Sequence, residues 1–216
     1  MTTSAHPPAS AAALRTLLRQ RRSTRAFDTA REVAPDVLVR VLEAARWAPS
    51  SGNAQPWTYV VTDRRVPAAR SAAQALLRPS NAWAEAAPVL LLATAARDLP
   101  AKRDKPTTQN PHAWHDVGAA SLALCLQATA EGLVAHQLAG FDRGGAAAAF
   151  GLPEGVEAVT LIALGYPGDG QALPAELAAR EGRAERRPLG EVARLGTWQG
   201  PPIDAHGTGT TGGGAG

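Results

Sequence analysis

The chain has 216 residues, of which 45% are hydrophobic, and this length and composition suit a globular protein with a sizeable core. Its net charge of +3 is too small for a broadly basic surface, so nucleic-acid binding is disfavoured and the clustered arginines favour a local anion site. The single cysteine, Cys125, excludes a disulfide within the chain and a CxxC metal motif. The sequence contains no run of about 18 apolar residues, so no membrane span is predicted.

Helical and extended patterns alternate along the chain without a fixed repeat. Leu14, Leu17 and Leu18 recur at helical spacing, which predicts a first helix. Pro88–Thr94 is a continuous apolar run, typical of a strand that is buried on both faces. The predicted helices are 11–20, 35–48, 67–77, 81–86, 113–131, 142–151 and a short helix that ends at 194. The predicted strands are 57–62, 88–94, 133–138 and 157–164.

A single domain is predicted over residues 11–200, because no shift in composition marks a boundary within them. Residues 1–10 are expected to be flexible, and the Gly- and Thr-rich residues 201–216 are expected to form a disordered tail. The charged, proline-rich segment 97–111 is predicted to be a loop and is a candidate lid. Residues 1–10 lack a basic segment followed by an apolar one, so no secretory signal is recognised and a cytoplasmic location is expected.

Three arginines and two hydroxyls lie within residues 21–25, directly after the first predicted helix. Arginine carries a permanent charge and a planar fork of donors, which suits a phosphate monoester. An exposed helix end would also accommodate these arginines, because the helix dipole favours cations there. Phe27 argues against that alternative, since the segment has to turn inward to bury the aromatic ring.

A polar, turn-forming run, Pro49–Gln55, lies between Trp47 and Trp57. Serine, glycine and asparagine favour tight turns and local hydrogen bonds. The two tryptophans are expected to hold both ends of this run in apolar surroundings, which would make it rigid. An ordinary connection between a helix and a strand is the alternative interpretation.

Taken in order, these two segments resemble the opening motifs of the FMN-dependent nitroreductases. Members of that family begin with a basic-basic-Ser-x-basic-x-Phe run, which is followed by Pro-Ser-x-x-Asn-x-Gln-Pro-Trp. Later matches lie at 131–133, 140–142, 165–167 and 186–189, and the resemblance covers roughly 14–192. It implies a nitroreductase-like α+β fold, in which helices flank a central, mainly antiparallel sheet, and an interlocked homodimer.

The resemblance also implies two equivalent FMN sites at the dimer interface. The residues implied around the phosphate are Arg21, Arg22, Ser23, Arg186 and Arg187. Arg25 matches a basic position near the ribityl chain and the N1–O2 edge of the flavin, where a cation would stabilise the charge that develops when N5 accepts a hydride. The residues implied from the second subunit are Pro49, Ser50, Ser51 and Asn53, while Gln55 would give structural support.

A fourth group of matching residues follows the strand predicted at 133–138. Gln137, Leu138, Ala139 and Gly140 lie in it, and the last three match a stretch whose backbone N–H groups are near N5 and O4 of the flavin. The best-known members carry an acidic residue where this chain has Ala139, so a polar contact would come from the backbone or from Gln137. His136 is a candidate proton donor, although a lone histidine beside a strand is more often a packing residue.

The implied function is an NAD(P)H-dependent FMN oxidoreductase with a ping-pong mechanism. NAD(P)H would reduce FMN, and a nitroaromatic, quinone or similar small acceptor would then take the electrons. No side chain is assigned as the catalyst, because the flavin carries the difficult step, and no metal is expected. Two alternatives stay open: a flavin-binding storage or sensor protein without turnover, and a family member that performs dehydrogenation, dehalogenation or flavin breakdown. Bleaching of the bound flavin by NAD(P)H would distinguish an enzyme from a flavin store.

Overall fold

The structure is a computed structural model. It describes residues 11–99, 107–182 and 184–203. The chain divides into two compact units, one that ends at Glu181 and one that begins at Gly182. The predicted flexible start, 1–10, and most of the predicted tail, 204–216, lie outside the described residues. Within the described ranges, no helix is long and apolar enough to cross a membrane.

Most of the helices begin and end near the residues that the sequence predicts, but a short helix at Ala175–Ala178 was not predicted. The α-helices of the described residues are α1 Ala11–Gln20, α2 Pro35–Arg46, α3 Pro67–Ala75, α4 Ala113–Ala130, α5 Arg143–Ala149, α6 Ala175–Ala178 and α7 Leu189–Val192. Pro35 and Pro67 open α2 and α3 at a position where a proline sacrifices no helical hydrogen bond. Asp142 caps α5, since its carboxylate accepts from the N–H of Gly145 at 3.0 Å. Gly132 follows α4 with a positive φ of 75°, a conformation that glycine adopts without strain at a helix end.

The strands form one central sheet and one short pair. The strands of the described residues are β1 Trp57–Thr62, β2 Val89–Ala96, β3 Asp98–Leu99, β4 Thr108–Gln109, β5 Val134–Leu138 and β6 Val156–Gly165. The central sheet has the antiparallel order β1-β2-β6-β5, which confirms the predicted α+β fold. The middle strands, β2 and β6, have nearly continuous apolar sequences because both of their faces are covered.

Two predictions near α3 are wrong in detail. α3 ends at Ala75, short of the predicted boundary, and the next predicted helix is a 3₁₀ helix, Pro79–Ala86, that begins earlier. The guanidinium of Arg70 in α3 donates to the carbonyl of Ala87 at 2.6 Å and to that of Pro88 at 2.9 Å. These bonds give partners to carbonyls directly after the 3₁₀ helix, and so they stabilise the end of a short segment of poor intrinsic geometry.

The segment 97–111 is not irregular throughout, contrary to the predicted loop. Its described ends pair as β3 and β4. The N–H of Asn110 donates to the carbonyl of Arg97 at 2.6 Å, and the N–H of Arg97 donates to the carbonyl of Gly155 at 2.7 Å. The two ends of the segment are therefore drawn together beside the start of β6. Residues 100–106, which contain the middle of the candidate lid, lie outside the described residues.

The central sheet separates two apolar cores. On one face, α2 and α4 pack against the sheet, and Val41, Leu124 and Ile162 are fully buried there. On the other face, α3, the 3₁₀ helix and α5 cover side chains such as Leu161. α4 contacts α1, α2 and strands of the sheet, whereas α1 itself has no fully buried residue. α4 is therefore the element that relates the separate parts of the candidate site.

Candidate functional site

The arginine-rich segment, Arg21–Phe27, leaves α1 and is tied by its main chain to the residues that follow β6. The N–H of Gly168 donates to the carbonyl of Ala26 at 3.1 Å, and Phe27 forms a β-bridge with Pro167. The Phe27 side chain is buried in one of the cores, as its predicted inward turn requires. These main-chain contacts fix the path of the segment without using the arginine side chains.

The first half of this segment offers charged donors. Arg22 and Ser23 are exposed, and Nη1 of the partly exposed Arg21 donates to Oγ of Ser23 at 3.2 Å. In the part of the chain that the structure describes, neither arginine forms an ion pair with a carboxylate. Cations without an acidic partner suit a phosphate, whose oxygens accept charge-assisted hydrogen bonds. The residues present therefore fit the phosphate end of an FMN.

The second half of the segment binds a carboxylate that no sequence motif marked, Glu181. Its Oε2 accepts from the hydroxyl of Thr24 and from the N–H of Arg25 at 3.0 Å, and its Oε1 accepts from Nη1 of Arg25 at 3.1 Å. Burial raises the pKa of Glu181, but the three bonds together outweigh it, so the pKa lies below its ordinary value. Arg25 thus differs from Arg21 and Arg22 in having its charge paired.

His136, the candidate proton donor, packs beneath the same segment. Its Nδ1–H donates to the carbonyl of Thr24 at 3.0 Å, and its ring centroid lies 4.5 Å from that of the buried Trp83. Burial lowers the pKa of His136 by more than the bond to the Thr24 carbonyl raises it. A neutral ring with a satisfied Nδ1 favours the packing role that the sequence left as the alternative.

The stability of the protein is expected to fall as the pH drops below about 6.5, in part because of His136. The pKa of this residue is lower in the folded state, so the unfolded state takes up the proton first and is stabilised by it. Thermal unfolding measured at about pH 7.5 and about pH 5.5 should therefore show a smaller loss of Tm in His136→Gln than in the wild type. His112→Gln, which changes an exposed ring that forms no hydrogen bond or ion pair among the described residues, is the matched control and should behave like the wild type. Equal losses in all three proteins would contradict the assignment.

The second predicted segment, Pro49–Gln55, is called the Ser-Asn loop, and the first turn of α4 holds it in place. Asp116 is almost fully buried, and its Oδ2 accepts from the N–H of Ser51 at 3.0 Å. Within the loop, Oγ of Ser50 accepts from the N–H of Gln55 at 3.0 Å. The loop is therefore anchored, as predicted, but a buried carboxylate provides an anchor that the sequence did not reveal.

The two tryptophans beside the loop have different environments. Trp57 is partly buried and packs against one core, as predicted. Trp47 is 75% exposed in the single subunit, so the prediction of apolar surroundings is wrong for this residue. α2 ends at Arg46, and the indole N–H of Trp47 donates to Oε1 of Glu43 at 2.9 Å, one turn back along the same helix. The side chain is therefore held at the surface of the helix rather than in the core.

The polar residues of the Ser-Asn loop are accessible in one subunit. Pro49, Ser51 and Asn53 are exposed, and Ser50 is half-buried. Asn53 has a φ of 56° and Gln55 a φ of 48°, which lie in the left-handed region that asparagine tolerates better than most residues. The asparagine thus has a conformational reason for its position in addition to any contact with a ligand.

The end of β5 carries another part of the predicted site. It contains Gln137, Leu138, Ala139 and Gly140. Leu138 is buried in a core, whereas Ala139 is exposed. The carbonyl of Gly140 accepts from Nδ2 of Asn81 at 2.9 Å, and a Cβ at Gly140 would overlap the Asn81 carboxamide. The glycine therefore allows the 3₁₀ helix to approach this end of β5 closely.

The structure brings the arginine-rich segment and β5 together but holds the Ser-Asn loop elsewhere. The bond between His136 and Thr24 joins the first two. Nε2 of Gln137 lies 3.5 Å from Sγ of Cys125 in α4, whereas the loop is bound to Asp116, nine residues earlier on the same helix. Nine residues correspond to roughly 14 Å of helix axis. The two groups of predicted residues thus contact different turns of α4 within one subunit.

The remaining predicted residues, Arg186 and Arg187, belong to the second compact unit. Nη1 of Arg186 donates to the carbonyls of Ala184 and Glu185, each at 3.2 Å. The contact of Arg186 and Arg187 with a phosphate stays a prediction. Among the described residues, no group of three His, Cys, Asp or Glu side chains is placed to hold a metal ion.

The fold is that of an α+β protein in which an antiparallel sheet, flanked by helices, carries a cationic segment near its β5 edge. The chain belongs to the Nitroreductase family, whose sequence model matches residues 18–166. A solved structure described as an oxidoreductase containing FMN is 30% identical to it, with a TM-score of 0.80. That similarity covers 93% of this chain and 100% of the other.

Two proteins known from their sequences are also similar. An uncharacterised 15.4 kDa protein from the ask 5' region of Mycolicibacterium smegmatis is 39% identical over 127 residues, which are 58% of this chain and 82% of that protein. A protein of Archaeoglobus fulgidus, provisionally named NADH dehydrogenase/NAD(P)H nitroreductase, is 28% identical over 155 residues. These cover 69% of this chain and 82% of the relative.

Proposed function

We propose that the protein is an FMN-dependent oxidoreductase that takes hydride from NAD(P)H and reduces nitroaromatic, quinone or similar small acceptors. The observation that carries the proposal is the pair of cations Arg21 and Arg22, with the Ser23 hydroxyl beside Arg21, and within the described residues no carboxylate pairs with either arginine. Membership of the Nitroreductase family supports the redox chemistry, and the solved relative that contains FMN supports the cofactor. The name of the Archaeoglobus relative supports a nicotinamide donor.

In this proposal the chain binds and orients the cofactor, and FMN supplies the hydride acceptor when it is bound. Arg21, Arg22 and Ser23 would hold the phosphate through hydrogen bonds to its charged oxygens. Arg25 would supply a cation to the N1–O2 edge of the flavin, and the backbone at the end of β5, residues 138–140, would supply N–H donors to its N5 and O4 atoms. Gln137 is the polar side chain nearest that backbone in sequence, since Ala139 has none.

We further propose a homodimer in which each FMN site uses both subunits. The Ser-Asn loop supports this, because Pro49, Ser51 and Asn53 are exposed in one subunit. The loop is also bound to a different turn of α4 from the turn that Gln137 of β5 contacts. We place α1 and α4 at the dimer interface, and both carry exposed leucines: Leu14 and Leu18 on α1, and Leu122 on α4. Cofactor binding and dimer formation should then be thermodynamically linked.

Asn53→Gly is expected to weaken FMN binding by about threefold to tenfold while leaving the Tm unchanged. Glycine keeps the positive φ of this position without strain, so the variant removes only the carboxamide. Gln55→Gly is the matched control, because it removes a carboxamide at a second positive φ whose side chain donates only within the loop, to the carbonyl of Asn53. Fluorescence titration with FMN measures both affinities. Wild-type affinity in Asn53→Gly, or an equal loss in both variants, would contradict the role of Asn53.

The proposed reaction is tested by the visible spectrum of the FMN-loaded protein without oxygen. NADPH or NADH should bleach the flavin, and a nitroaromatic or quinone should restore its colour. Initial rates with both substrates varied should give the parallel-line pattern of a ping-pong mechanism. A loaded protein that neither donor bleaches would instead support a flavin store or sensor. A protein that takes up no FMN would refute the cofactor assignment.

A further inference from the structure

We propose that Glu181 is a positioning residue that holds Arg25 and reduces the positive charge which Arg25 presents to the flavin, and that it thereby keeps the reduction potential of the flavin low. This inference rests on the proposed function, since it requires that FMN binds beside Arg25. It assigns a role to a carboxylate that lies 156 residues from its partner in sequence.

The geometry shows that both oxygens of Glu181 are used by one short stretch of chain. Oε2 accepts from the Thr24 hydroxyl and the Arg25 N–H, and Oε1 accepts from the Arg25 guanidinium. The side chains of Arg25 and Glu181 are only 18% and 17% exposed. Solvent therefore screens this pair less than it screens an exposed ion pair, and the carboxylate offsets part of the field of the guanidinium.

Glu181 also determines where the guanidinium lies. On its other side, Cζ of Arg25 is 5.9 Å from the ring centroid of Trp83, a distance at which a cation is attracted to an aromatic face. Arg25 and Trp83 both line a pocket of about 330 Å³, which is bounded further by apolar side chains such as Phe27 and Leu173 and by the acidic residues Glu85 and Asp169. This space would allow the guanidinium to adopt other positions, so the bond to Glu181 is the contact that selects one of them.

The consequence for the cofactor follows from charge. A reduced flavin carries more negative charge than an oxidised one, and a nearby uncompensated cation would stabilise it. With Glu181 in place, Arg25 presents a nearly neutral pair instead of a full positive charge. Removal of the carboxylate should therefore favour the reduced form, provided that Arg25 remains near the ring.

The test is Glu181→Gln, which keeps the size of the side chain and one acceptor oxygen but removes the charge. In the FMN-loaded protein, the affinity for reduced FMN relative to oxidised FMN should rise about tenfold, which corresponds to about 30 mV in a two-electron potential. Glu176→Gln is the matched control, because it removes the same charge from α6 at a residue that forms no ion pair within the described residues. Its potential should stay at the wild-type value. Spectroelectrochemical titration measures the potential without turnover.

A second pair of variants separates tuning from structure. In Arg25→Gln, which leaves the carboxylate of Glu181 unpaired, the potential should fall, and adding Glu181→Gln to that background should bring it back toward the wild-type value. If Glu181→Gln does not fold, Glu181→Asp should shift the potential in the same direction by a smaller amount. An unchanged potential in a folded Glu181 variant would overturn the inference. So would a variant that binds oxidised and reduced FMN more tightly by the same factor, because Glu181 would then merely compete with FMN. Failure of the wild type to bind FMN would instead refute the proposed function.

Discussion

Arg21→Ala is expected to weaken FMN binding by about tenfold to a hundredfold, the range for loss of a hydrogen bond to a charged group. Arg21 is partly exposed, and its guanidinium is within reach of Ser23, so both can donate to one phosphate. The affinity can be measured by quenching of flavin fluorescence. Because the interaction is between charges, the difference between wild type and variant should shrink as the salt concentration rises.

The matched control is Arg15→Ala, which removes an exposed arginine from α1, less than two turns before Arg21. It should bind FMN like the wild type, and both variants should keep the wild-type Tm, since neither arginine forms an ion pair among the described residues. A similar loss of affinity in both variants would mean that only the overall charge of the surface matters. Unchanged affinity in Arg21→Ala would remove the phosphate site from this segment.

Gly168→Ala is expected to lower the free energy of unfolding by about 1–3 kcal/mol and to weaken FMN binding as well. A Cβ at this position would lie 2.6 Å from the carbonyl oxygen of Phe27 and 2.7 Å from its carbonyl carbon. These are backbone atoms that no side-chain rotation can move aside. The arginine-rich segment would have to shift relative to the end of β6, and the phosphate donors would move with it.

Gly144→Ala is the control for Gly168→Ala. This glycine lies in α5, and a Cβ there would meet nothing closer than Oδ1 of Asp142 at 3.6 Å, an ordinary contact. Alanine favours a helix by up to about 1 kcal/mol over glycine, so the control should be neutral or slightly stabilised. Denaturant unfolding measures both variants. A Gly168→Ala protein with wild-type stability would show that the contact relaxes without cost.

The fold could largely be predicted because its elements are specified by local patterns. The apolar runs of β2 and β6 and the prolines that open α2 and α3 act over a few residues, and the structure confirms them. The wrong details occur where distant groups decide the outcome. Arg70 supports the 3₁₀ helix through carbonyls 17 and 18 residues away, and Arg97 is joined to Asn110 across the segment that was predicted to be a loop.

The candidate site was predictable only in part, for the same reason. The arginines and the Ser-Asn loop stand out because several unusual residues are adjacent in sequence. Asp116 and Glu181 do not, since each binds its partner across a long stretch of chain, 65 residues for Asp116 and Ser51. A single carboxylate in a helix or after one carries no pattern. Only the three-dimensional structure reveals that each holds a segment of the site.

The arginine-rich segment is fastened to the sheet by its backbone, through Ala26, Phe27 and Gly168, while the side chains of Arg21, Arg22 and Ser23 contribute little to that attachment. Substitutions at these three positions can therefore change what is bound without disturbing how the protein folds. Natural selection can act on the two properties separately. In such an arrangement, sequence drift at these three positions carries little risk of misfolding, so the proposed ligand contacts could change in single mutational steps.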